Sequence, residues 1–202
     1  MKNIFKNKAI NMYRSFFMSI VFFLITAISF SQETKKAEEV CYNPNAIKDT
    51  SKRSIKSATV GKIGQANVTI NYHSPGVRKR VIWGGLVPYD EVWVTGAHNA
   101  TSIEIDKAFI IGGKSVPAGK YAFFTIPGKA LWTIIINKTW DQHLANDYDK
   151  KEDVVRIKVK PIKQVKTTER LQYFIKNGIG NKGTISVAWE KVKIEIPIIT
   201  KI

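Results

Sequence analysis

The stretch 121-YAFFTIPGKALWTIII-136 decides the fold of this chain. Its two ends, Tyr121–Ile126 and Leu131–Ile136, are apolar at nearly every position, which indicates strands that are covered on both faces. Residues 127–130, PGKA, lie between them and have the composition of a turn. The stretch therefore predicts a hairpin of two central β-strands.

Shorter runs on both sides of this hairpin alternate apolar and polar residues with period two. This alternation is typical of strands with one face in a core and one face in water. The predicted inward-facing residues are Val68, Ile70, Tyr72, Ile103, Ile105, Val155, Ile157, Val159, Leu171, Tyr173, Ile175, Ile185, Val187, Trp189, Val192, Ile194 and Ile196.

The chain shows no alternation of strands with helices and no heptad repeat. We therefore predict an all-β fold for residues 57–202, an antiparallel β-sandwich or distorted barrel of about ten short strands. The one helix candidate is residues 139–148, TWDQHLANDY, where Thr139 could cap a short helix with Asp141 in its first turn.

The N-terminus has the pattern of a secretory signal over residues 1–31. Four basic residues and no acid precede an apolar run from Phe16 to Phe30, and small residues before Gln32 suit cleavage at that point. The run is shorter than the about 20 residues of a spanning helix, so no stable transmembrane segment is expected after cleavage. The sequence predicts secretion to the periplasm or the cell exterior, from a start at either Met1 or Met12.

Residues 32–56 are polar and charge-mixed, and we predict a flexible tail there. The only cysteine, Cys41, lies in this tail, so a disulfide framework and a multi-cysteine zinc site are excluded.

The charge of the chain is unbalanced, with 32 basic and 16 acidic residues. Removal of the signal would lower the formal charge from +16 to +12. Much of the excess lies on the polar faces of late strands, at Arg156, Lys158, Lys160, Lys191 and Lys193. If these strands pair, they form a basic stripe that could contact an anionic polymer or lipid headgroups; alternatively, the lysines protect a sheet edge. A nucleic acid partner is not expected, because no aromatic residues alternate with the basic ones.

The stretch 74–101 breaks the strand pattern with glycines, aromatic residues and charges. Such irregular connections often carry binding residues above a rigid sheet. The candidate ligand contacts are Trp83, Tyr89, Trp93, His98 and Asn99. In the alternative interpretation, the three aromatic residues close one end of the sandwich.

The catalytic candidates are weak and consist of His98, His73 and Glu91. Asp141 and His143 could also form an acid–base pair, although they would point to different faces of a helix. No two histidines lie within the short spacings of common metal motifs, so no metal is predicted. The chain has no phosphate-binding or dinucleotide motif, so no cofactor is predicted.

Three segments carry a resemblance to a known family: SPGVRKRVIWGGLVPYDEVWVTGAHNATSIEI from Ser74, IIGGKSVPAGKYAFFTIPGKALWTIIINK from Ile110, and the closing ISVAWEKVKIEIP. Together with DVVRIKVKP they resemble domain-of-unknown-function family 2911 over about residues 57–198. The resemblance implies a compact β-rich domain of secreted or periplasmic proteins, mainly from Bacteroidota, and supplies no activity.

Three hypotheses about function follow. The leading one is a non-enzymatic module that binds a glycan, a peptide or an anionic polymer at the bacterial cell envelope. The second is a hydrolase of envelope glycans or peptides that uses the histidine-containing loop. The third is a structural or adhesion protein that uses the basic strand face.

Overall fold

The computed structural model describes residues 54–201. The predicted signal over residues 1–31, Cys41 and the predicted tail up to residue 53 lie outside the described residues. The strands in chain order are β1 (Ser54–Ile63), β2 (Ala66–Pro75), β3 (Ser102–Ile105), β4 (Phe109–Ile111), β5 (Lys114–Val116), β6 (Gly119–Ile126), β7 (Trp132–Asn137), β8 (Asp153–Val159), β9 (Ile162–Asn177) and β10 (Lys182–Thr200).

The strands form two antiparallel sheets, which confirms the predicted all-β sandwich class. The six-stranded sheet has the order β1-β2-β3-β6-β7-β8, and the four-stranded sheet has the order β5-β4-β10-β9. Neither sheet closes on itself, so the architecture is a sandwich and not a barrel. β1 begins at Ser54, three residues before the domain boundary expected from the sequence.

The hairpin predicted from residues 121–136 is present as β6 and β7. One of its faces points into the main core between the sheets, with Phe123, Ile134 and Ile136. The other face, with Phe124 and Ile135, belongs to a second, smaller core. Both strands are therefore covered on both sides, as their continuous apolar runs predict.

The main core lies between the two sheets and is formed by the predicted inward-facing positions. These side chains are buried along β2, β3, β9 and β10, while Ile157, Val159, Ile175 and Val192 are only partly buried at its margin. Burial of an aliphatic or aromatic side chain contributes about 1.5–3 kcal/mol. The alternation of the sequence thus specifies which face of each strand points inward.

The prediction of a helix over residues 139–148 is wrong. Within the described residues the helical structure is limited to one 3-10 turn, Lys150–Glu152. Residues 139–148 instead form turns, and Leu144 has a positive φ of 53° that no helix allows. The backbone of this loop pairs with residues 98–100, because Ala100 N–H donates to Gln142 O (2.9 Å) and Leu144 N–H donates to His98 O (2.7 Å).

The long connection between β2 and β3 contains only isolated bridges, which agrees with its irregular sequence. Five of its residues other than glycine have a positive φ: Arg78, Lys79, Asp90, Thr95 and His98. Such conformations cost about 1–3 kcal/mol each, so the surrounding contacts must hold them in place. This connection carries most of the candidate site residues of the chain.

Candidate functional site

The outer face of the six-stranded sheet, which points away from the four-stranded sheet, is covered over only part of its width. Residues Val94 and Ala100 of the β2–β3 connection and Tyr148 of the β7–β8 connection pack on β6 and β7. The outer positions of β1 to β3 are mostly polar, and Lys56, Asn71 and other residues there are exposed. A groove lies at the step where the cover ends.

The floor of the groove consists of cross-strand pairs on this outer face. Lys56 of β1 lies directly opposite His73 of β2, and Asn71 of β2 lies opposite Ser102 of β3. Side chains that are directly opposite in a sheet lie about 4.5–5.5 Å apart at Cβ, so these four form a contiguous polar surface. The groove has a volume of about 260 Å³.

Two loops form the wall of the groove and hold each other in place. Residues 98–100 and 142–144 pair through their backbones, and the Asn99 Oδ1 and His143 Nδ1 atoms lie 3.4 Å apart. This pairing brings Trp140, Asp141 and Asn99 to the rim of the groove. The site is therefore assembled from segments that are about forty residues apart in the chain.

Trp140 lines the groove, and its side chain is 38% exposed. The Nζ atom of Lys120 lies 3.5 Å from the centre of its ring, in a cation–π contact. Lys120 faces Glu104 across β3 and β6, yet within the described residues it forms no ion pair. The indole and the ammonium group thus form one composite surface.

His73 and His98 come together at the edge of the groove, with ring centres 5.2 Å apart in an edge-to-face arrangement. Burial lowers the pKa of His73 below 6.5, and the charges of His98 and Lys56 lower it further. His73 is therefore neutral at pH 7 and offers one donor and one acceptor nitrogen.

A buried polar network fixes the loop that carries His98. Tyr173 Oη donates to Thr95 O (2.8 Å) and Thr101 Oγ1 donates to the same oxygen (3.1 Å), while the Thr95 and Thr125 hydroxyls are 3.0 Å apart. Burial raises the pKa of Tyr173 well above 10, so its hydroxyl stays a donor. These bonds compensate for the strained φ of 51° at Thr95.

The predicted ligand contacts do not form one site. Asn99 lines the groove, and His98 touches it through His73. Trp83 and Trp93 instead pack in the main core with Trp132 and Trp189, where Trp93 stacks on Trp189 at 5.8 Å and 20°. These two tryptophans are partly buried against the main core and do not line the groove.

Tyr89 lies away from the groove, against Gly84 and with Lys129 Nζ 5.9 Å from its ring centre. Glu91 is exposed next to Asp90, whose N–H donates to Pro127 O at the β6–β7 turn. Among the described residues, Glu91 forms no hydrogen bond or ion pair with His73 or His98. The three catalytic candidates are thus not assembled as one hydrogen-bonded set.

The predicted basic residues lie on strands of different sheets. β8 carries Arg156 and Lys158, whereas β10 carries Lys191 and Lys193, so the condition that the two strands pair is not met. The two sets come near each other only at the start of β9. There Ile162, two residues after Lys160, lies opposite Lys193. Lys193 is bound to Glu195 at 2.5 Å.

Arg156 forms an ion pair with the buried carboxylate of Asp153. Its Nη1 donates to Asp153 Oδ2 and to Tyr148 Oη, both at 2.7 Å, and Asn137 Nδ2 donates to the other oxygen of Asp153 at 2.8 Å. Burial and the hydrogen bond to Asp153 raise the pKa of Tyr148 to about 12. Of the basic set on β8, Lys158 is the exposed member.

In the part of the chain that the structure describes, no three His, Cys, Asp or Glu side chains are arranged to hold a metal ion. Within the same residues, no helix has the length and apolar composition needed to cross a bilayer.

Sequence reasoning missed most of the groove. Lys56, Asn71, Ser102, Lys120 and Trp140 line it, and none of them is among the predicted contacts. The polar alternation of β2 was a usable signal, because it places Asn71 and His73 on one outer face. The position of Trp140 could not be predicted, because the sequence favours a helix over residues 139–148. The backbone pairing of two loops brings Trp140 to the groove.

Comparison with known proteins gives one family. A family model described as a protein of unknown function (DUF2911) matches residues 54–198, from the start of β1 to near the end of β10. No curated protein and no solved structure shows a significant match to the chain.

Proposed function

This chain belongs to the DUF2911 family of proteins of unknown function, and we propose that its β-sandwich is a non-enzymatic binding module of the bacterial cell envelope. The groove on the outer face of the six-stranded sheet is its ligand site. The ligand is a glycan or a peptide.

The observation that carries this proposal is the composition of the groove. A half-exposed indole, two amides, a hydroxyl, a neutral imidazole and charged groups converge on one concave surface of about 260 Å³. Aromatic faces beside hydrogen-bonding groups bind sugars and peptides well, because the ring covers apolar C–H groups while the polar groups pair with hydroxyls or amides.

A glycan and peptide array probed with the purified protein tests this function. We expect binding that is lost in the double variant Asn99→Ala/Trp140→Ala, which removes one amide and the indole from the groove. The matched control is Phe174→Ala, which removes an exposed aromatic ring (44% exposed) from β9. Binding that persists in the double variant, or that disappears equally in the control, contradicts the assignment of the site.

Secretion forms part of the proposal and is supported by the signal-like residues 1–31. We expect the protein in the periplasm or outside the cell, with an N-terminus at Gln32. Cell fractionation followed by N-terminal sequencing measures both. Recovery from the cytoplasm with residues 1–31 intact would refute this part of the proposal.

A hydrolase of envelope glycans or peptides is the second candidate, and the contact between His73 and His98 favours it. Release of reducing ends or free amines from envelope material measures this activity. A hydrolase loses turnover in His73→Ala and keeps it in Arg78→Ala, a change at an exposed residue of the β2–β3 connection that follows His73. Turnover that is absent, or unchanged in His73→Ala, excludes this candidate.

An adhesion role is the third candidate, and it is favoured by five basic residues without an acid in the stretch 154–168. Val165 in this stretch is 98% exposed. Binding to anionic envelope polymers should then weaken strongly with salt, because exposed charges are screened over about 8–10 Å at physiological ionic strength. Lys158→Gln/Lys160→Gln should weaken it as well, whereas retention that is independent of salt excludes this role.

A further inference from the structure

The charged side chains that line the groove form no ion pairs with other described residues. Lys56, Lys120 and Asp141 all line it, and none of them forms an ion pair with another described residue. Two ammonium groups therefore face one carboxylate on a concave surface that excludes part of the solvent. Such a surface attracts an anion and still offers one acceptor for a hydroxyl group.

The two lysines lie toward opposite ends of the groove. Lys56 comes from β1 and Lys120 from β6, and β2 and β3 lie between these strands. At about 4.8 Å between neighbouring strands, the two strands are about 14 Å apart. The positive charges thus suit a ligand that carries more than one anionic group along its length, and a single small anion would use only one of them.

Lys120 and Trp140 form the end of the groove that is best suited to a sugar ring. The ammonium group lies over the indole at 3.5 Å, and its hydrogens remain available because no described carboxylate pairs with it. A pyranose ring that packs its C–H groups against the part of the indole that Lys120 leaves uncovered would have its ring carboxylate within reach of the ammonium group. Hydrogen bonds between charged groups are shorter and stronger than neutral ones.

Neutral groups fill the space between the two lysines. Asn71 and Ser102 form a cross-strand pair on the floor, and Asn99 lies in the wall. Amides and hydroxyls both donate and accept, so they suit the hydroxyl groups of a sugar, whereas a chain of lysines alone would suit any polyanion.

We propose that the groove binds an acidic oligosaccharide of hexuronic acid units, with one sugar ring against Trp140 and its carboxylate on Lys120, and a second carboxylate near Lys56. This inference rests on the proposed function and specifies the class of ligand for the same site.

Calorimetric titration of the purified protein with trigalacturonic acid, and with the same trisaccharide fully methyl-esterified, tests the proposal. The two probes have the same rings and hydroxyls and differ in charge. We expect the acid to bind at least about tenfold more tightly, because one hydrogen bond to a charged group corresponds to about a factor of ten in the equilibrium constant.

The variants Lys120→Gln and Lys56→Gln should each weaken the binding of the acid about tenfold and leave the binding of the ester unchanged. Lys62→Gln is the matched control, because Lys62 is exposed on the outer face of the same strand as Lys56 and does not line the groove. Thermal unfolding of each variant confirms that it is folded. An equal loss in the control would show that the acid binds to general surface charge, and this would overturn the proposal.

Failure of this inference and failure of the proposed function give different results. If acid and ester bind equally well, the ligand class is wrong and the groove remains a binding site. If neither binds, the acidic saccharide is again excluded, and the array experiment with Asn99→Ala/Trp140→Ala decides separately whether the groove binds any other ligand.

Discussion

The five tryptophans of the chain divide into two groups with different roles. Four of them, Trp83, Trp93, Trp132 and Trp189, pack against one another in the core, and the rings of Trp83 and Trp132 are 4.9 Å apart. The Nε1 atoms of Trp83 and Trp189 are buried without an acceptor among the described residues, a cost that the burial of two large rings offsets. The fifth, Trp140, lies at the groove.

This division predicts that alanine substitution destabilises the protein much more at Trp189 than at Trp140. Trp189 is 1% exposed, so Trp189→Ala should lower the free energy of unfolding by about 3–5 kcal/mol. Trp140→Ala should lower it by about 1 kcal/mol or less, since it removes a half-exposed ring and one cation–π contact, and it should abolish ligand binding. Urea unfolding measures the loss of stability in each variant. A larger loss in Trp140→Ala than in Trp189→Ala would contradict the division.

His73 gives the stability of the protein a dependence on pH. Its pKa is lower in the folded protein than 6.5, because of burial first and then the charges of His98 and Lys56. Well above pH 6.5 the imidazole is neutral in both states and adds no pH dependence. Below pH 6.5 the unfolded chain binds the proton more readily, so this group destabilises the fold as the pH falls.

We therefore expect the free energy of unfolding to fall less steeply between about pH 7 and about pH 5 in His73→Asn than in the wild type. Urea titrations at several pH values measure the slope. His143→Asn, which removes the imidazole of an exposed loop residue, is the control for the loss of a histidine side chain. Identical slopes in wild type and His73→Asn would remove His73 as the source.

At the level of elements, the turn between β4 and β5 links the two sheets. Gly112 and Gly113 have φ values of 55° and 79°, which side chains other than glycine adopt at a cost. A Cβ atom at Gly112 would overlap the side chain of Ile157 in β8, whereas one at Gly113 would meet open space. A substitution at Gly113 therefore tests the cost of the positive φ alone. The same substitution at Gly112 tests that cost together with the contact between the turn and β8.

Gly113→Ala should lower the free energy of unfolding by about 1–2 kcal/mol, the cost of a left-handed residue with a Cβ. Gly112→Ala should lower it by about 1–3 kcal/mol more, because the added methyl group forces the turn away from β8. Chemical denaturation of the two variants gives the comparison. Equal losses would show that the turn does not depend on its contact with Ile157.

The loop over residues 139–148 shows how tertiary pairing overrides a local signal. A cap at Thr139 and an acid at Asp141 favour a helix, but the Thr139 N–H bonds to the Asn137 Oδ1 (2.9 Å) and the following backbone pairs with residues 98–100. A helix of about ten residues is only marginally stable in isolation. Backbone bonds to another segment therefore decide its conformation, and they place Trp140 and Asp141 at the groove.

At the scale of the whole molecule, the described residues begin with a strand that is paired from its first residue. Ser54 lies opposite Pro75 in the β1–β2 pair. Proteases need an extended and accessible backbone, so paired strands resist cleavage. Limited digestion with trypsin should leave a resistant fragment that begins near Ser54, consistent with the tail that the sequence predicts before it. Mass spectrometry identifies its ends, and early cleavage within β1 or β2 would contradict this expectation.

The all-β class, the central hairpin and the inward face of the alternating strands can be predicted from the sequence alone. These features depend on local periodicity and turn composition. The hydrophobic effect buries the apolar face of a strand wherever the strand lies in the fold. The sequence also carried the resemblance to the family that the whole-domain match confirms.

The candidate site, in contrast, becomes visible when the strands and loops are assembled in three dimensions. Trp83 and Trp93 are residues of a type that often binds ligands. In the folded protein their side chains are partly buried against the core between the two sheets. Lys56, Lys120 and Trp140 carry no local signature, and the order β1-β2-β3-β6 together with the pairing of two loops brings them to one groove. The hydrophobic period of a strand depends on residues that are neighbours in the sequence. A binding surface depends on which distant segments of the chain the strand register places side by side.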